Sequence, residues 1–250
     1  MNWPRLILYI LIGFAAQIID GTLGMAYGVS CRTFLKAAAG LPPALASAVV
    51  HAAEVPTTLA SGLSHWKFRN VDRGLLLRLA IPGVLGGVLG AWFLSSAGDR
   101  LEGFIDLYLV VMGAVILRKA FQREPKERHI GRGIYPLGLA GGFLDATGGG
   151  GWGPVVTSTM VAVGHDVKKT IGTVNAAEFV VTVAETTAFA VLLRDYRAYA
   201  QIILGLVAGG VAAAPLAAWI CKKIPVRPLL AIVGILIIGL NLYNFIHWLG

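Results

Sequence analysis

Residues 229–246, LLAIVGILIIGLNLYNFI, contain no charged residue, and neither do residues 198–221. Residues 75–97, LLLRLAIPGVLGGVLGAWFLSSA, carry only Arg78. A helix needs about 20 apolar residues to cross the hydrocarbon core of a bilayer, and these runs reach or approach that length. The chain is 56% hydrophobic and 14% charged, where soluble domains carry about a quarter charged residues. The expected fold is all-α and polytopic, in contact with lipid, in the inner (plasma) membrane of the cell.

The net charge of +8 reads differently on such a chain. On a soluble protein it would suggest a nucleic-acid partner. Here Lys and Arg gather in short segments between the apolar runs, most densely in 118–132, RKAFQREPKERHIGR. That is how topology determinants are distributed, so no nucleic-acid partner is expected. Cys31 and Cys221 have no CxxC or CxxH spacing, which leaves neither a metal site nor a disulfide framework. No GxxxxGK[ST] motif occurs, so the chain carries no ATP-driven engine of its own. Gly148, Gly150 and Gly153 fit GxGxxG, but no βαβ unit surrounds them, and the match carries no dinucleotide site. No cofactor, metal or catalytic residue is expected, and the chain is not read as an enzyme.

The chain repeats itself. Residues 13–28, GFAAQIIDGTLGMAYG, align with 138–153, GLAGGFLDATGGGGWG, at an offset of 125. The alignment pairs Asp20 with Asp145, Thr22 with Thr147, Gly24 with Gly149, Tyr27 with Trp152 and Gly28 with Gly153. After a slip of one residue, HAAE at 51–54 falls on NAAE at 175–178. Two halves, 1–120 and 134–250, are thus joined by a basic loop, 121–133, expected in the cytoplasm. Each half has a glycine-broken segment followed by three apolar segments. If the broken segment crosses the membrane, the halves are parallel and 13 of the 21 Lys and Arg share a side. If it enters and returns, the halves are inverted and 15 share a side. The positive-inside bias favours the inverted arrangement, with a re-entrant break and three transmembrane helices in each half.

The breaks are FLDATGGGGWGP (143–154) and its degenerate partner at 20–28. Glycines cost a helix about 1 kcal/mol each relative to Ala. After each break a short helix is expected: GVSCRTFLKAAAG (28–40) and GPVVTSTMVAVG (153–164), with Pro154 in a first turn and Gly40 and Gly164 as stops. Irregular backbone is tolerated at membrane depth only inside protein or along an aqueous cavity. Matching interruptions in two halves point to a transporter's binding site. Helix N-termini offer unpaired N–H groups and partial positive charge, which suit an anion. The candidate substrate-binding residues are Thr22, Gly24, Gly28, Thr147, Gly148, Gly149, Gly150, Gly151, Trp152, Gly153 and Asn175. On this reading the substrate meets helix N-termini, and no Lys or Arg is expected at its depth. Asp20 and Asp145 are read as caps of the breaks. The pairs Gly83/Gly87, Gly86/Gly90 and Gly205/Gly209 have GxxxG spacing and are assigned to helix packing.

The segment 43–66 carries His51, Glu54, Thr58, Ser61 and His65 at steps of three or four, along one helical face. Its counterpart carries Asn175, Glu178, Thr182, Glu185 and Thr186. Ionisable groups at membrane depth are costly and are functional hypotheses by default. His51, Glu54 and Glu178 are candidates for proton coupling or gating: a carboxylate beside an anion path repels the substrate when ionised and admits it when protonated. The function expected from these features is secondary transport of a small anion. A passive anion channel is the alternative, and a membrane enzyme a more remote one.

At the GFLDATGGGGWGP opening, its partner GFAAQIIDGTLGMAYG, the AAE segments and the two-half layout, the chain resembles the TauE/SafE family of sulfite and organosulfonate exporters. The resemblance covers nearly the whole chain. It implies a permease that moves small sulfur oxyanions or carboxylates across the inner membrane without ATP. GTLGMAYG and HAAE depart from the pattern of the second half, so the two sites need not be equivalent.

Overall fold

The computed structural model describes residues 3–23, 25–67, 69–121, 131–163, 165–193, 199–223 and 226–249. Gly24, Gly164 and residues 122–130 of the basic loop fall outside them, as do the side chains of Thr22 and Cys221.

The described residues are helical, with no strand among them. The first half runs α1 (Trp3–Leu23), α2 (Tyr27–Ala39), α3 (Pro43–Lys67), α4 (Arg73–Ala97) and α5 (Glu102–Lys119). The second runs α6 (Ile134–Gly148), a π-helical turn at Gly153–Thr157, α7 (Ser158–Val163), α8 (Val167–Leu192), α9 (Ala200–Lys223) and α10 (Val226–Leu249). Four stretches are long and apolar enough to cross a membrane: Trp3–Asp20, Arg73–Ala97, Lys169–Leu192 and Ala231–Leu249. Their outer faces leave Leu11, Leu85, Trp92, Ile235 and other large apolar side chains uncovered, as lipid-facing helices do. The chain is an all-α, multi-pass membrane protein.

Both broken segments fall where glycine placed them. Helix α2 starts at Tyr27, one residue before the expected Gly28, and ends on Gly40 in a left-handed conformation, whose N–H closes on the Lys36 carbonyl. The break after α6 feeds the π turn through Pro154, which has no N–H to lose there. Single π turns of this kind recur at functional sites.

The packing exchanges partners between the halves. Helix α1 lies on α9, α6 lies on α4, α3 on α8, and α5 on α10. Under the sequence alignment α1 corresponds to α6 and α9 to α4, so the pairing maps onto itself. Two apolar clusters repeat the correspondence. One gathers Tyr9, Ile12, Tyr27, Val49, Val50 and Leu206; the other gathers Ile134, Trp152, Val174, Ala177, Leu79 and Ala80. Tyr27 and Trp152, aligned in sequence, are each an aromatic centre of their cluster.

Small residues permit this closeness. A Cβ on Gly142 would strike the Gly83 carbonyl, one on Gly86 the Leu139 carbonyl, and one on Gly209 the Ile10 carbonyl. The GxxxG pairs therefore bring helix backbones together, as small residues do in membranes. Gly83 and Gly87 have a further use: a Cβ there would meet the Trp152 ring and the Glu185 carboxyl respectively. They clear room for two side chains of the site described next.

Candidate functional site

Asp145 lies in the last turn of α6. Its carbonyl accepts from Gly149 N (2.8 Å) and Gly150 N (3.1 Å), while its carboxylate Oδ1 accepts from Gly151 N (2.5 Å) and Trp152 N (2.9 Å). One residue thus ties four consecutive N–H groups of the break. Gly149 has φ +67° and Gly150 φ +142°, conformations that L side chains rarely adopt. Thr147 returns its hydroxyl to the Phe143 carbonyl, 2.7 Å. At the first break Asp20 Oδ1 accepts Tyr27 N at 3.4 Å, the one bond to it among the described residues, and Ala26 adopts φ +87° without being glycine. A positive φ there carries strain of order 1 kcal/mol.

The two breaks touch. A Cβ on Gly28 would lie 2.6 Å from Gly150 Cα, 2.8 Å from the Gly149 carbonyl oxygen and 2.9 Å from Glu54 Oε1. One on Gly153 would lie 2.8 Å from Met25 Cβ. Backbone meets backbone at Gly28–Gly150, and Glu54 abuts the junction.

On one side of the junction is a polar cavity. It is lined by Gln17 and Asp20 of α1, Tyr27 of α2, Glu54, Thr57, Thr58 and Ser61 of α3, and Asn175 and Glu178 of α8. Its 10 Å³ for water-sized centres is room for about one water. Thr57 and Thr58 both donate to the Glu54 carbonyl, at 3.0 and 2.7 Å. Asn175 accepts from Ser61 (3.0 Å) and donates to the Ile171 carbonyl (2.9 Å).

Behind Glu54 lies His51, fully buried. Its Nδ1 is 3.0 Å from Glu54 Oε2 and 3.3 Å from Glu185 Oε2, and its Nε2 is 3.3 Å from the Asp145 carbonyl. A carbonyl can only accept, so Nε2 carries a proton, and Nδ1 is shared between two acids. His51, Asp145 and Glu185 bring one donor atom each within 4.8 Å of one another. Among the described residues this is the only such set of three. Asp145 Oδ2 accepts no hydrogen bond, and Glu185 is held by its ion-pair contact with His51 alone among the described basic groups.

A guanidinium also reaches the junction, contrary to the expectation that no Lys or Arg reaches the breaks. Arg32 of α2 is 3% exposed and donates from Nη1 to the Thr147 carbonyl, 3.0 Å. A Cβ on Gly149 would sit 3.1 Å from the same Nη1. The missing Cβ gives the guanidinium its place. One turn later Lys36 pairs with Asp106 (2.6 Å) and Glu102 (3.0 Å). The Tyr108 hydroxyl, buried and unpartnered, faces Gly151.

Of the residues singled out in the sequence, Asp20, Glu54, Asn175 and Glu178 line the cavity, and Gly28, Gly149, Gly150, Gly151, Trp152 and Gly153 form the junction with Asp145. Gly148 lies against the Tyr108 ring, and His51 joins cavity to break. No sequence pattern marks Arg32 or Tyr108, and helical spacing marks Glu185 only as one polar residue of a stripe.

The sequence model of the family described as Sulfite exporter TauE/SafE matches residues 9–244. The chain belongs to this family. It is also 43% identical, over 98% of its own length and 85% of the relative's, to the "Probable membrane transporter protein YtnM" of Bacillus subtilis (strain 168). No solved structure matches it. As a TauE/SafE protein it is a membrane transporter, which agrees with a site built from broken helices, the arrangement transporters use for binding at depth.

Proposed function

We propose that the chain is a secondary transporter that carries a small sulfur oxyanion, sulfite or an organosulfonate, across the inner membrane through the junction of its two breaks, with protons as the coupled ion. The observation that carries this reading is the contact of Gly28 with Gly150, flanked by Arg32 and by Glu54. N–H groups and a guanidinium recognise an oxyanion; acids beside them admit it only with protons. A cavity with room for about one water is too small for sulfite, so the geometry supports an occluded state, opened when one half rocks against the other. Inverted halves, the arrangement that groups 15 of the 21 basic residues on the cytoplasmic side, supply the symmetry for such rocking.

Two experiments test the proposal. Reconstituted protein should accumulate sulfite or an organosulfonate uphill under an imposed proton gradient, and prefer them to sulfate and small carboxylates. Flux that follows the anion gradient alone, whatever the pH difference, would make the protein a channel. Glu54→Gln and Glu178→Gln should keep transport and flatten its pH dependence; an unchanged pH profile in both reduces these acids to structural partners. For topology, single cysteines in 121–133 and in 166–169 should both escape an impermeant thiol reagent added outside. Labelling of only one of the two excludes inverted halves.

A further inference from the structure

The junction as it stands already holds a carboxyl group, and that group belongs to the protein. Asp145 Oδ1 occupies the N–H groups of Gly151 and Trp152, the donors that the transport reading above, on which this inference rests, offers to a substrate. A carboxylate oxygen on two N–H groups has the same chemistry as a sulfite or sulfonate oxygen there. The two cannot occupy the pair together, and an arriving oxyanion would also meet the charge of Asp145 itself. The other carboxylate oxygen, Oδ2, is buried and accepts no hydrogen bond, and the Asp145 carboxylate brings an oxygen within 4.8 Å of ligand atoms of His51 and Glu185.

We propose that Asp145 is a tethered substitute for the substrate, and that a proton delivered by His51 and Glu185 releases it. The proton leaves the Glu185 carboxyl and bonds to Asp145 Oδ2, and Glu185 is recharged through His51 from Glu54, which faces the cavity. Neutral Asp145 is a poor competitor for the N–H groups, and the oxyanion takes them, with the Tyr108 hydroxyl and the Arg32 guanidinium beside it. One proton and one negative charge enter together, so transport is coupled at the binding step.

The charges around Asp145 are consistent with this exchange. Helix α3 presents His51 and Glu54, α8 presents Glu178 and Glu185, α1 presents Asp20, α5 presents Tyr108 and α2 presents Arg32; α4 contributes the uncharged Gly87. Five acids against one imidazole and one guanidinium cannot all be ionised in one buried volume, so the cluster holds protons to move. At the first break, among the described residues, Asp20 accepts one long N–H bond, and Ser61 stands where the second half has Glu185.

Methanesulfonate is the probe of choice, because its own charge does not change near neutral pH. Its binding to the full chain in nanodiscs, titrated calorimetrically in buffers of different ionisation enthalpy, should take up about one proton per anion. Affinity should fall about tenfold per pH unit at alkaline pH. Asp145→Asn keeps an oxygen for the N–H groups but no charge; it should bind without proton uptake and with a flat pH profile. Glu185→Gln should retain binding and shift the profile to lower pH. The wild-type infrared difference spectrum, which needs no variant to fold, should gain a protonated-carboxyl band on binding. Binding by the wild type without proton uptake or that band overturns the inference and leaves the transport reading standing, as does an Asp145→Asn variant that still takes up a proton. A wild type that binds neither methanesulfonate nor sulfite overturns the substrate assignment instead.

Discussion

Gly150→Ala abolishes transport and destabilises the protein by about 3 kcal/mol or more. The methyl group would strike the Val29 amide nitrogen and the Gly28 carbonyl carbon, backbone atoms that no rotamer change can move aside. The residue's φ of +142° is also closed to an L side chain at ordinary cost. Overpacking of a tight interior costs about 1–3 kcal/mol on its own, and the backbone conformation adds to it. Proteoliposome flux and the melting temperature in detergent measure the two effects. Gly40→Ala serves as the comparison: its φ is also positive, at +59°, but a Cβ there meets nothing within 4 Å. It should cost about 1 kcal/mol and leave flux intact. Full flux in Gly150→Ala would show that the two breaks need not touch for transport.

His51→Ala has the second-largest effect. The imidazole stands between Glu54 and Glu185, 3.0 and 3.3 Å from their oxygens, with all three side chains at most 3% exposed. Without it the two acids face each other across an unfilled space, and breaking a buried charge pair costs about 3–5 kcal/mol. The loss depends on pH in a definite sense. It is largest at alkaline pH, where the acids are ionised and repel. It shrinks as the medium is acidified, because protonated carboxyls need no cation and can hydrogen-bond to one another. Melting temperatures of His51→Ala and the wild type should therefore converge on acidification. A gap that stays constant with pH would assign the loss to the cavity and to the lost stacking of the ring on Phe189.

Much of this was legible in the sequence, for physical reasons that differ by feature. The long helices follow from uncharged runs such as 229–246, because lipid accepts little else. The break at Gly149–Gly150 follows from glycine's conformational range, and the 125-residue offset announced a corresponding break in the first half, where Ala26 takes the positive φ. Arg32 was hidden because SCRTFLKAAA reads as an ordinary short helix. Only the Thr147 carbonyl, 115 positions away, and the absent side chain of Gly149 make a berth for its guanidinium. Tyr108 lies in an apolar stretch whose period says nothing about which face meets Gly151. Glu185 was visible as polar, but its position beside His51 depends on α3 lying against α8. Spacing within a segment reports its own faces; it does not report which remote segment those faces meet.

The exchange of partners between α1 and α9 and between α4 and α6 also bears on how the protein is made. Helix α1 leaves the ribosome complete at Leu23, and its partner begins at Ala200. At synthesis rates of ~5–20 residues per second the interval is roughly 10–35 s. For the first part of that time, until Gly149–Gly153 and then α8 have been made, the strained break at Ala26 has no glycines to rest against, and Gln17 and Asp20 have no companion from the other half. The early helices must wait in the insertion machinery or at its edge, polar stripes together, until the second copy of the pattern arrives. A chain stopped before residue 200 would be inserted but unfinished, and membrane proteases should recognise it by its unpaired acids.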